Sequence, residues 1–92
     1  MALHLDDTSL LAQFQSPSTK EKGYTGIVKK YQEKLYWHIR RMLVDHEDTN
    51  DVLQQVLIKI WKGLENFRED SKLFTWMYRI AINTAKNYGR CG

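Results

Sequence analysis

The sequence predicts an all-α fold, a compact bundle of three main helices with a short leading helix. Three observations predict it. Apolar residues recur at steps of three and four in four separate segments, the period of a helix with one buried face. No segment alternates apolar and polar residues as a half-buried strand would. One proline and five glycines in 92 residues leave room for long uninterrupted helices.

The first segment, about Thr8 to Gln15, has Asp6 or Asp7 as a cap and Leu10, Leu11 and Phe14 as its apolar face. Ser16-Pro17-Ser18 breaks it. Ser18 with Glu21 fits a capping box for the second segment. There Tyr24, Ile27, Val28, Tyr31, Leu35, Ile39 and Met42 form one stripe, running to about Leu43. Gly23 and Gly26 weaken its beginning and point to a later start. The third segment begins after Asp48-Thr49-Asn50, any of which can cap, and buries Val52, Leu53, Val56, Leu57, Ile60 and Leu64. The fourth begins after Ser71 and stops at Gly89, with Leu73, Phe74, Met77, Ile80, Ala81, Thr84 and Tyr88 inside. The expected organisation is one domain over 1–92, with a leading segment 1–18 and a helical core of about 19–89.

Composition narrows the class. An apolar share of 42% is globular rather than disordered. A single cysteine, Cys91, makes no internal disulfide and fits a reducing compartment. No basic n-region precedes an apolar run, and no 18 consecutive residues are apolar. The expectation is a cytoplasmic protein with no membrane partner. The net charge of +3 is unevenly spread: residues 45–70 carry seven acids against three bases, and from Lys72 onward there are four bases and no acid. Such sorting suggests two partners, one of them polyanionic.

The outer faces carry the candidate sites. Opposite the buried stripe of the third segment lie Asp51, Gln54, Gln55, Ile58 and Lys62, with Trp61 at the edge. An isoleucine among amides and a carboxylate, flanked by a tryptophan, suits a protein-docking surface. On the fourth segment Arg79, Asn83, Lys86, Asn87 and Arg90 share one side, with Trp76 one turn before. Bases neutralise phosphates, asparagine bonds base edges, and an aromatic ring stacks an unpaired base. Solvated basic surface at a helix C-terminus would account for Lys86 and Arg90, but not for the asparagines and Trp76 grouped with them. Phe67, Arg68, Ser71 and Lys72 belong to a short polar connection suited to rim a pocket for an extruded base.

Catalytic and metal signals are missing. There is no glycine-rich phosphate loop, no Cys/His zinc spacing and no nucleophile paired with a base. His4, His38 and His46 are isolated in spacing, and His46 reads as surface near a helix cap rather than as a metal ligand. No enzyme and no cofactor are expected.

From Tyr31 to Arg90 the chain resembles the second conserved region of sigma factors of the extracytoplasmic-function group. Three blocks carry the resemblance: YQEKLYWHIRRML, then DHEDTNDVLQQVLIKIWKGLENFR, then FTWMYRIAINTAKNYGR. The resemblance implies a transcription initiation factor domain that docks on RNA polymerase core and recognises and melts the minus-ten promoter element. It assigns docking on the clamp coiled coil of the polymerase's largest subunit to Asp51, Gln54, Gln55, Ile58 and Trp61. It assigns reading of the non-template strand of promoter DNA to Phe67, Arg68, Ser71, Lys72, Trp76, Arg79, Asn83, Lys86, Asn87 and Arg90, with Tyr78 at the edge of that face or in the core. An anti-sigma factor is a further implied partner. Gln55 stands where the family often has Glu, and Ile82 where it often has a base. Family members continue into a helix-turn-helix region, which is expected to be absent from a chain that stops at Gly92. Two rival readings are a helical DNA-binding regulator unconnected to polymerase and a module that binds an anti-sigma factor or polymerase without melting a promoter.

Overall fold

Asp6 begins the first helix by turning its carboxylate onto the Ser9 N–H at 2.9 Å. The computed structural model describes residues 6–67 and 72–90, the side chains of 89 and 90 excepted. These residues form α1 (Asp7–Gln15), α2 (Lys20–Met42), α3 (His46–Gly63), a single 3-10 turn (Leu64–Asn66) and α4 (Leu73–Arg90). No strand occurs among the described residues, and the all-α expectation is borne out. The chain divides into two compact units, Met1–Gln32 and Glu33–Gly92, with α2 contributing to both.

In the first unit α1 buries Leu10, Leu11 and Phe14, as its period predicts. The following turn is closed by the Thr19 hydroxyl, which donates to the Gln13 carbonyl at 2.7 Å. The capping box expected at Ser18 does not form, and the helix starts one residue later. The Thr19 carbonyl accepts the first helical bond, from the Gly23 N–H, and the Ser18 hydroxyl lies against that of Ser16 instead. Nor do Gly23 and Gly26 delay the helix. They sit inside it, because the two helices cross closely there. A Cβ on Gly23 would lie 2.5 Å from the Phe14 nitrogen and 2.8 Å from the Leu10 oxygen. Lys30 and the Tyr31 hydroxyl both donate to the Asp7 carboxylate, at 2.9 and 2.8 Å, and tie the start of α1 to α2.

In the second unit α2 ends with Arg40 donating to the Leu43 carbonyl, and its last turn carries Arg40 and Arg41 where positive charge suits the helix dipole. Helix α3 starts earlier than expected. Asp45 is the cap, accepting from the Glu47 N–H, so Asp48, Thr49 and Asn50 lie within the helix. Thr49 is fully buried and sends its hydroxyl back to the Asp45 carbonyl. Helix α4 runs through Gly89 to Arg90 rather than stopping at the glycine.

Of the expected inner faces, Leu35, Ile39, Val52, Val56, Ile60, Leu64, Leu73, Met77, Ala81 and Thr84 are buried. Tyr24, Val28, Leu53, Leu57, Phe74, Ile80 and Tyr88 are half-buried. Met42 is exposed, because it lies at the last residue of α2, where the packed layer ends. Ala85 joins the buried set. Its small side chain gave no apolar signal in the periodicity.

The close crossing sets a clear expectation. Alanine at position 23 gains helix propensity of about 1 kcal/mol, but its methyl meets backbone atoms that cannot move aside. Gly23→Ala should therefore destabilise the chain by about 1–3 kcal/mol. Gly26→Ala meets only the end of the Leu10 side chain and should cost less. Urea denaturation of the two variants tests the order.

Among the described residues, four groups hold their protons more tightly in the folded chain. Burial raises the phenols of Tyr24 and Tyr31 above their ordinary 10.0. The Asp7 carboxylate beside Lys30 raises that amine above 10.5, and Asp48 beside Tyr88 raises its phenol. Stability from these groups is complete below their unfolded values and is lost as pH rises through the raised folded ones. The Asp6 carboxyl, lowered from 3.8 by the Ser9 N–H, acts in the opposite sense and loses its contribution as pH falls. Thermal melts should show the midpoint declining from about pH 10 upward, and Tyr31→Phe should remove part of that alkaline slope.

Candidate nucleic-acid and protein interfaces

Helices α3 and α4 pack against each other in opposite directions. Asp48, near the start of α3, accepts from the Tyr88 hydroxyl near the end of α4 at 3.0 Å. Gly63, at the other end of α3, faces Trp76 in the first half of α4. Between them Lys59 donates to the Thr84 hydroxyl at 3.0 Å, and that hydroxyl donates to the Ile80 carbonyl at 2.7 Å. Among the described residues no buried side-chain polar atom lacks a partner. The pairing turns the two outer faces of the helices to solvent.

The outer face of α3 presents Asp51, Gln54, Gln55, Ile58 and Lys62, all exposed. Ile58 is 55% exposed, a branched aliphatic side chain surrounded by amides and a carboxylate. Trp61, expected at the edge of this face, is half-buried. Toward α2 the face continues through Asn50, whose side chain meets His46 Nε2 at 3.1 Å, while His46 Nδ1 bonds the Tyr36 hydroxyl. The sequence reading of His46 as surface near the cap matches its position as the first residue of α3. Its pairing with Tyr36 crosses the turn between helices and leaves no local signal.

The outer face of α4 presents Lys72, Arg79, Asn83, Lys86 and Asn87, all exposed. Trp76 is half-buried and lies toward α3. Its ring stands 5.1 Å from that of Phe67, and a Cβ on Gly63 would come within 2.8 Å of it. Glycine at 63 therefore makes the space in which the indole lies. Arg68 and Ser71 fall outside the described residues. Arg90 is the last residue of α4. On the opposite flank Tyr78 is half-buried, edge-on to His38 of α2 with ring centroids 4.8 Å apart. Tyr78 thus borders the α4 face at its α2 side, which sequence alone left open between edge and core.

No group of three or more His, Cys, Asp or Glu among the described residues is placed to hold a metal ion. None of the described helices is long and apolar enough to cross a membrane. The two exposed faces present charges, amides and rings.

Comparison with known proteins identifies the family. The sigma-70 region 2 model matches residues 27–91. The RNA polymerase sigma-H factor of Pseudomonas aeruginosa is 46% identical over 68 residues, covering 74% of this chain and 35% of that protein. The ECF RNA polymerase sigma-E factors of Haemophilus influenzae and Escherichia coli K12 are each 40% identical over 88 residues, covering 96% of this chain and 45% and 44% of theirs. The chain thus spans less than half the length of these relatives. An NMR structure of an engineered region 2 of sigmaE in complex with GTAAAA superposes with a TM-score of 0.85 at 35% identity, covering 99% of this chain and 93% of that one. The chain belongs to the sigma-70 region 2 family and is of the extracytoplasmic-function type.

Proposed function

We propose that this chain docks on RNA polymerase core through the outer face of α3 and holds the melted non-template strand of a minus-ten promoter element on the outer face of α4. One observation carries the reading. Two helices packed on each other present faces of different chemistry, amides and a carboxylate around Ile58 on one, and two exposed asparagines among Lys72, Arg79 and Lys86 on the other. The related sigmaE region 2 was solved in complex with GTAAAA, which supports assigning the second face to single-stranded DNA. The clamp coiled coil of the largest polymerase subunit is the proposed surface for the first. Action on polymerase places the protein in the cytoplasm, and the activity is binding rather than catalysis. Arg68, Ser71 and Arg90 are proposed to complete the DNA contacts.

The physical logic is selective binding. A domain that binds unpaired bases and not the duplex shifts the promoter toward its open state by the difference in affinity. The arginine and lysines supply phosphate neutralisation, and the asparagines bond exposed base edges. Phe67 and Trp76 offer aromatic surface at the α3 side of the face.

The test uses the chain with polymerase core, with the isolated clamp coiled coil as competitor. Wild-type chain should bind core, and the coiled coil should displace it. The double variant Gln54→Ala, Ile58→Asp should lose about 2 kcal/mol or more of that binding while remaining folded. Arg79→Ala and Asn83→Ala should each weaken binding of a GTAAAA single strand by about 1–3 kcal/mol and leave core binding unchanged. Failure of the folded chain to bind core would overturn the docking half. Unaltered DNA affinity in both α4 variants would overturn the other half.

A further inference from the structure

The outer face of α4 has aromatic groups on both flanks. Phe67 and Trp76 lie on the α3 side. On the α2 side, His38 meets Tyr78 edge-on at 4.8 Å and Phe74 at 6.2 Å, and Phe74 and Tyr78 lie 6.1 Å apart. Lys34, one turn before His38 on α2, holds its ammonium 5.8 Å from the centre of the Phe74 ring. The layer beneath is already closed by aliphatic side chains, with Leu35 and Met77 each 1% exposed and Ile39 and Ala81 fully buried. The three rings above it are half-buried and keep part of their surface in solvent. Lys34 is exposed and, among the described residues, has no carboxylate within ion-pair distance. The Phe74 ring attracts this cation only weakly and leaves it available to an anion.

We propose that Lys34 and His38 of α2, grouped with Phe74 and Tyr78 of α4, continue the single-stranded DNA surface beyond the α4 face. In this arrangement Lys34 neutralises a backbone phosphate, and the His38–Tyr78 edge packs against the adjoining base or sugar. The chemistry matches what a sequence-tolerant single strand needs, alternating cations for phosphates and rings for bases. Arg79, next in sequence to Tyr78, connects the two parts of the path. The inference rests on the assignment of the α4 face to DNA and extends it to a second helix.

The experiment is an NMR and fluorescence titration of the chain with a single strand that extends GTAAAA by a few nucleotides at each end, at several salt concentrations. Loss of one phosphate contact on a single strand lowers the slope of log affinity against log salt by about 0.7. Lys34→Ala should show that change, so that its loss of affinity is roughly 2.5-fold greater near 50 mM than near 200 mM salt. The carbon-bound ring protons of His38 should shift on addition of the strand, and those of His46, bonded to Tyr36 and Asn50, should not. Arg79→Ala serves as the control. If Arg79→Ala weakens binding while Lys34→Ala leaves the slope unchanged and His38 stays unperturbed, this inference is overturned and the α4 assignment stands. If neither variant changes affinity, the α4 assignment fails and takes the extension with it.

Discussion

Everything the second unit presents to solvent depends on how closely α3 and α4 approach. The inner face of α4 is small where the helices meet, with Ala81, Thr84 and Ala85 buried, and α3 answers with Val52, Val56 and Ile60. Small side chains such as alanine and valine at a helix contact allow a close approach of the two axes. Larger side chains would overpack the contact. Each fully buried aliphatic contributes about 1.5–3 kcal/mol.

Two hydrogen bonds and one close steric fit define the register of the two helices. Tyr88 reaches Asp48 at one end, Trp76 lies over Gly63 at the other, and Lys59 finds Thr84 between. Sliding α4 by one turn, about 5.4 Å, would part Tyr88 from Asp48. It would also bring the Trp76 ring against a residue that has a Cβ. The aliphatic layer alone tolerates such a slip far better, since valine, isoleucine and methionine repeat along it. Specification of one alignment by a few directional contacts is the best-attested use of polar groups in packed interfaces.

Much of this fold was legible from the spacing of large apolar residues, because each of α1 to α4 buries one face. What escaped has physical causes. Asp45 does not stand out in the sequence as the cap of α3, because Asp48, Thr49 and Asn50 are equally good caps in isolation. Only the buried Thr49, with its hydroxyl turned back to Asp45, shows which turn comes first. Gly23 read as a weakness because helix propensity is local, whereas its purpose is the backbone of α1 lying against it. The outer faces were legible for the same reason as the inner ones: a residue opposite the core is exposed whatever its neighbours do. Ile58, Arg79 and Asn83 are such residues. Trp76 is not, since a side chain at the margin of a face goes wherever there is room, and the room is made by Gly63 on another helix. Tyr36–His46 and His38–Tyr78 join helices distant in sequence and could be found only in three dimensions.

The same packing bears on how two binding faces could cooperate. A protein anchored by α3 positions whatever α4 carries only if the two helices move as one body. The contacts at Asp48, Lys59 and Gly63 tie α4 to α3 at both ends and in the middle, so the angle between the two outer faces is set by the core and not by either partner. Under the proposed function, substitutions on one outer face would then act on one partner. Substitutions in the shared layer, at Val56 or Ala81, would act on both, because that buried layer sets where the two faces point. A face tied this firmly to its neighbouring helix needs no ordering before a ligand binds, and less binding energy is lost to conformational entropy. In the proposed function, pre-set geometry of this kind lets modest individual contacts, a lysine here and an asparagine there, add up to selective capture of an open strand.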